Sequence, residues 1–194
     1  MSRKGFAWEE RLARHMDELK WLYMELYDSP EHFEELIANM RGFYDERKPA
    51  LKRQDKKREE DPAWFKKNGM LGMMMYAGNF GGTLAGVGEK LDYIKRCGVN
   101  YLHLMPLLES PAGRSEGGYA VADFRKVQEE LGTIEDLEAL ADKCRRQGIS
   151  ICLDFVMNHT SEDHEWARRA RNGEREYMDR YFFYDRKEDV DAYE

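Results

Sequence analysis

No part of this 194-residue chain comes near the length of a membrane span. A spanning helix needs ~20 consecutive apolar residues, so a membrane role is not expected. The start, Met1-Ser2-Arg3-Lys4-Gly5, runs into an amphipathic stretch and not into an apolar signal core, so secretion is not expected either. Cysteine is scarce: Cys97, Cys144 and Cys152 stand far apart and form no CxxC pair. That pattern excludes a disulfide framework and suits a reducing, cytoplasmic setting. Positive charge is not in excess, since the net charge is −7, and this disfavours nucleic acid as a partner. Only 5 prolines interrupt the chain.

Apolar and aromatic side chains are plentiful: 42% of residues are hydrophobic and 12% aromatic. A disordered chain of high charge carries few of either. The charge is uneven. Residues 1–69 balance 15 basic against 15 acidic side chains, and the excess of −7 falls in residues 70–194. Glycine becomes frequent from Gly69 onward, and a domain boundary is placed there. Before it, Trp8, Leu12, Met16, Leu19, Tyr23 and Leu26 recur at three- and four-residue steps, which predicts one amphipathic helix. Ser29-Pro30 supplies a cap and a first-turn proline for the next helix, with a stripe of Phe33, Leu36, Ile37 and Met40. Residues 46–60 are almost all charged and read as a solvated helix face or connector. Residues 1–69 are therefore expected to form a small all-α domain without chemistry of its own.

After the boundary the chain alternates strand-like and helix-like segments. Strands are predicted at 73–76, 101–105 and 149–156, and helices at 87–97 and 133–146. Thr133 with Asp136 resembles a capping box. Ile149 to Val156 is nearly continuous in apolar residues, as in a strand buried on both faces of a parallel sheet. The β-α-β-α-β order implies a parallel α/β fold. One connection, residues 107–132, is far longer than the ~2–6 residues usual after a strand. It leaves the C-terminal end of a strand, where parallel α/β folds carry their ligand sites.

Two motif readings fail. Gly81-Gly82-Thr83-Leu84-Ala85-Gly86-Val87-Gly88 fits neither a GxGxxG register nor a phosphate loop, and reads as a glycine-rich turn into a helix. His164-Glu165 begins like HExxH, but Arg168 stands at the second histidine position. His15, His32 and His103 have no partner identifiable in sequence and read as structural or solvated. The informative cluster is Asp154-Phe155-Val156-Met157-Asn158-His159. A carboxylate in a buried strand is costly unless paired or hydrogen-bonded. On pattern alone the cluster fits a site and a structural polar network equally well.

Asp154-x-x-x-Asn158-His159 resembles the first signature of the α-amylase family, glycoside hydrolase family thirteen. The flanks are similar to the amylosucrase branch: Tyr101-Leu102-His103-Leu104-Met105-Pro106-Leu107, Gly117-Gly118-Tyr119-Ala120-Val121, Leu131-Gly132-Thr133-Ile134, and Asn158-His159-Thr160-Ser161 through His164-Glu165-Trp166-Ala167. The resemblance implies a partial (β/α)8 TIM barrel: a helical domain over 1–69, the first three barrel strands over 70–160, and the start of an inserted domain over 161–194. It implies sucrose as donor and α-1,4-glucan as acceptor, with a retaining mechanism and no cofactor.

By the same resemblance, His159 is expected to donate hydrogen bonds to hydroxyls of the bound glucosyl ring. Tyr119 is expected to stack beneath that ring, and Asp154 to orient polar groups at the strand end. Asn158 matches a calcium-binding position of many α-amylases; here it is expected to form structural hydrogen bonds, with no metal. Glu116 stands where amylosucrases usually carry the aspartate of a pocket-closing ion pair. No catalytic residue is assigned, because the family's nucleophile and acid/base lie on later strands. The chain is thus expected to be the N-terminal portion of such an enzyme and inactive alone. Two alternatives remain: a sucrose hydrolase or α-glucosidase of the same family, and a non-catalytic carbohydrate-binding or interaction remnant.

Overall fold

The computed structural model describes residues 8–184 together with Arg186 and Glu188. The chain divides into two compact units, Met1–Lys67 and Asn68–Glu194. Parts of the sequence assigned to an inserted domain, at residues 185, 187 and 189–194, lie outside the described residues.

The first unit is helical: α1 (Trp8–Ala13), α2 (Met16–Tyr27), α3 (Pro30–Glu46) and α4 (Pro49–Glu60), then a 3-10 turn at Trp64–Lys66. The helix expected over residues 8–26 is two helices. The backbone leaves helical geometry at His15 (φ −121°, ψ 0°), a break that the apolar spacing does not report. Ser29 caps α3 as expected, accepting from the His32 amide with Pro30 in the first turn. The charged stretch does form a helix, α4, whose Asp55 takes two hydrogen bonds from Arg47 at 2.6 and 2.9 Å. Phe33, 6% exposed, is the one core hydrophobe among the described residues of this unit. It packs 5.3 Å from Tyr23, centroid to centroid. One buried side chain contributes only ~2–3 kcal/mol, so surface pairs such as Arg11–Glu59 at 2.6 Å supplement a small core.

The second unit holds a parallel sheet of β1 (Gly72–Met75), β2 (Tyr101–Leu104) and β5 (Ser150–Leu153), in the order β1-β2-β5. All three strands expected from the sequence are present, neighbouring and parallel. Pairing sets Met74 against His103 and His103 against Cys152. Alternation along each strand then decides which side chains are dry. Met75, Leu102 and Leu104 point to the helical side and are buried, whereas Met74, on the other face, is 65% exposed. The buried side is filled from α6 (Leu84–Glu89), α7 (Leu91–Arg96) and α8 (Ile134–Arg146) by Leu84, Val87, Leu91, Ile94, Leu140 and Cys144. Burial pushes the Cys144 thiol up to about 11, so it behaves as a hydrophobe. Thr133 and Asp136 form the expected capping box at α8.

Three local expectations are corrected, and one element is added. The helix expected over 87–97 starts at Leu84 and is two short helices meeting at Lys90. A further short helix, α5 (Ala77–Gly81), follows β1. The connection 107–132 is not a bare loop: β3 (Leu108–Glu109) and β4 (Asp123–Val127) pair antiparallel with a register shift between Leu108 and Glu109. The third parallel strand stops at Leu153, so Asp154 lies just beyond the sheet instead of inside it. The apolar run continues past Leu153, but Phe155 and Met157 are exposed. Continuous hydrophobicity marks potential burial, not the point where pairing ends.

Two short helices close the described chain, α9 (Glu165–Arg171) and α10 (Arg175–Met178). His164 caps α9: its Nδ1 accepts from the Trp166 amide at 3.1 Å. The ring is 6% exposed and packs edge-on to Trp166. Burial holds its pKa below the ordinary imidazole range, against smaller opposing pulls from Asp123 and Glu165. The unfolded chain therefore binds the proton more readily than the folded one. Stability is full above the ordinary imidazole range and falls as pH drops below it. Protonation also removes the capping acceptor, worth ~1 kcal/mol. Replacing His164 by Asn, a cap that does not titrate, should reduce the loss of melting temperature between pH 7.5 and 5 by roughly 2–4 °C. Equal losses in the two proteins would dismiss this role.

Candidate active site

Of the residues singled out in sequence, Tyr119, Asp154 and His159 come together. Tyr119 donates its hydroxyl to Asp154 Oδ2 at 2.9 Å, across 35 positions of sequence. His159 Nε2 donates to the Tyr119 carbonyl at 3.1 Å. The long connection explains the meeting. Arg114 pairs with Glu162 and Asp163, and the Ser161 amide donates to Val121 O at 2.8 Å. These bonds hold the Tyr119 segment against the chain that follows β5. Tyr119 itself leaves a 3-10 turn, Glu116–Gly118, in which Gly117 adopts φ +63°. The positive φ is what favours glycine here; a Cβ on Gly117 would stand 2.8 Å from the Tyr76 hydroxyl, the outer end of a side chain that can give way. The same contact places Tyr76 beside the cluster.

His103, read in sequence as structural or solvated, belongs to the cluster: its Nε2 lies 2.8 Å from Asp154 Oδ1. A signal was present. His103 and Cys152 are register partners, and Asp154 is two residues past Cys152, hence on the same face. Without register, that parity cannot be read. Asp154 is thus held on both oxygens. Partial burial pushes its pKa up, but the hydrogen bonds from His103 and Tyr119 outweigh this and hold the carboxyl below the usual carboxylate range. It is ionised at neutral pH, which makes His103 Nε2 the donor. The Tyr119 phenol, hydrogen-bonded to that carboxylate, is pushed above its ordinary value and stays a protonated donor.

Glu116 and Asn158 are not brought into this network. Glu116 opens the turn with an exposed side chain. Asn158 is exposed, and none of the hydrogen bonds found among the described residues reaches its side chain. No group of three or more His, Cys, Asp or Glu among the described residues is arranged to hold a metal ion. A polar groove of about 540 Å³ is built from other side chains, including Asp123, Arg125, His164 and Arg168. The Asp154 cluster instead lies on the face of the sheet that a closed barrel turns toward its axis, at the C-terminal ends of the strands.

The Alpha-amylase family, described as alpha amylase, catalytic domain, matches residues 30–192. The chain belongs to this family, and its parallel sheet is part of the family's (β/α)8 barrel. Among curated relatives, the trehalose synthase/amylase of Mycolicibacterium smegmatis is 48% identical over 105 residues, covering 54% of this chain and 17% of that protein. The oligo-1,6-glucosidase of Bacillus sp. (strain F5) is 39% identical over 109 residues, 56% of this chain and 21% of that protein. Among solved structures, a Bacillus licheniformis trehalose-6-phosphate hydrolase superposes with a TM-score of 0.58 and 33% identity over 64% of this chain and 23% of its own. A trehalulose synthase from Pseudomonas mesoacidophila gives 0.57 and 32%, with coverage of 64% and 23%. The chain spans about a fifth of the length of the curated relatives it matches.

Proposed function

We propose that this chain is the N-terminal part of an α-amylase-family enzyme acting on α-glucosides. Within that class, sucrose is the substrate we favour, with its glucosyl unit passed to an α-1,4-glucan as in amylosucrases. The observation that carries the reading is the convergence of Tyr119, Asp154 and His159 at one end of a parallel sheet. An aromatic ring and polar side chains suit a pyranose, the ring as a face for its C–H surface and His159 as a donor to its hydroxyls. The His159 donor is engaged with the Tyr119 carbonyl. Binding a sugar requires that bond to be exchanged, at a cost of about 1 kcal/mol if uncompensated.

Retaining transfer between sugars requires two carboxyl groups about 5–5.5 Å apart, and no cofactor. Asp154 has both oxygens occupied by His103 and Tyr119, so it serves as an orienting group. We place the nucleophile and the acid/base on later strands of the barrel. The resemblance to amylosucrase motifs supports transfer. The oligo-1,6-glucosidase and the salivary alpha-glucosidase of Anopheles gambiae among the relatives favour the second reading, hydrolysis. The ratio of glucose to fructose released from sucrose by the whole enzyme separates them, because hydrolysis gives equal amounts and transfer gives excess fructose. No described helix is long and apolar enough to cross a membrane. With three free thiols, we place the enzyme in a reducing cytoplasm.

The 194 residues by themselves should not turn over sucrose. The test is fructose release by the purified chain, freed of host glucosidases. Sustained release that disappears in His159→Ala would mean that the catalytic carboxylates lie within this chain.

A further inference from the structure

We infer that His103 is a positioning residue that fixes Asp154 and, through it, the hydroxyl of Tyr119. Tyr119 and His159 sit in irregular chain and Asp154 lies one residue past β5. Of the groups bonded to Asp154, His103 is the one that comes from inside a strand, and that strand, β2, is central in the sheet. Its neighbours Leu102 and Leu104 are fully buried, so the backbone under His103 has little freedom to move. The same strand also holds the Asp154 backbone, whose amide donates to Leu104 O at 3.4 Å. The backbone tie places Asp154 beside β2, and the side-chain tie from His103 restrains the carboxyl there. With the carboxyl so held, Oδ1 faces His103 and Oδ2 faces Tyr119. The inference rests on the glucoside-binding reading for its purpose, since Tyr119 is the ring proposed to carry the sugar. The geometry of the network stands independently of any sugar.

The test is made by nuclear magnetic resonance on the 194-residue chain, with no sugar present. In the unmodified chain, long-range ¹H–¹⁵N spectra should show the His103 proton on Nε2. The Tyr119 ¹³Cζ resonance should differ from that of an exposed tyrosine. His103→Phe keeps a flat ring but loses the donor. It should move the Tyr119 resonance to the exposed position, whereas His103→Gln, which restores an N–H near the place of Nε2, should return it. A Tyr119 resonance unchanged in His103→Phe overturns the inference, as does a failure of His103→Gln to restore it. Methyl resonances of Leu102 and Leu104 report whether a variant keeps its core. Should His103→Phe lose it, the tautomer in the unmodified chain decides: a proton on Nδ1 leaves Nε2 unable to donate and overturns the assignment. None of these outcomes depends on sugar binding, so failure here leaves the proposed function standing. Absence of activity toward sucrose would leave His103 in its place.

Discussion

Gly86→Ala should destabilise the second unit by about 3 kcal/mol, near the upper end for forced overpacking. The reason is backbone against backbone. A Cβ built on Gly86 would stand 2.0 Å from the Gly81 carbonyl oxygen, and one on Gly81 only 2.4 Å from the Val87 amide nitrogen. No rotamer relieves such contacts, because the obstructing atoms are main chain. Leu84 and Val87, on the same helix, are fully buried, so α6 cannot retreat without opening the core. Single domains are stable by only ~5–15 kcal/mol, and a loss of this size is readily measured as a lower urea midpoint. Gly42→Ala provides the contrast. Gly42 lies within α3 with open space where a Cβ would go, and alanine there should stabilise by ~0.5–1 kcal/mol. Equal midpoints for Gly86→Ala and the unmodified chain would show that α5 and α6 are not packed as described.

In the enzyme of which we propose this chain to be a part, His159→Ala should lower kcat/KM for sucrose about 100-fold or more, corresponding to ~3 kcal/mol of transition-state stabilisation. The imidazole is exposed and makes a single side-chain bond, to the Tyr119 carbonyl, so its loss should leave the fold nearly unaltered. That separates a binding role from a structural one. Unchanged kinetics with an intact melting curve would rule out a binding role for His159. A decrease accompanied by a large drop in melting temperature would assign it to the scaffold.

The sequence by itself determined the helical first segment, the three parallel strands and the capping box of α8. These are set by short-range physics: period 3.6 in helices, apolar runs in strands, and cap residues at fixed offsets. The family resemblance added the candidate trio Tyr119, Asp154 and His159, because each of its motifs is a short contiguous segment. Tertiary structure alone decided the remainder. The end of β5 at Leu153 depends on where neighbouring strands stop pairing, and apolar composition continues past that point. The β3–β4 hairpin contains only two residues on its first strand, too few for alternation to register. His103 became a partner of Asp154 only once the β2–β5 register was set, because a shift of one residue turns every side chain to the opposite face. Likewise the glycines at 81 and 86, legible as a turn into a helix, are required by a close approach of two backbones that no local pattern encodes.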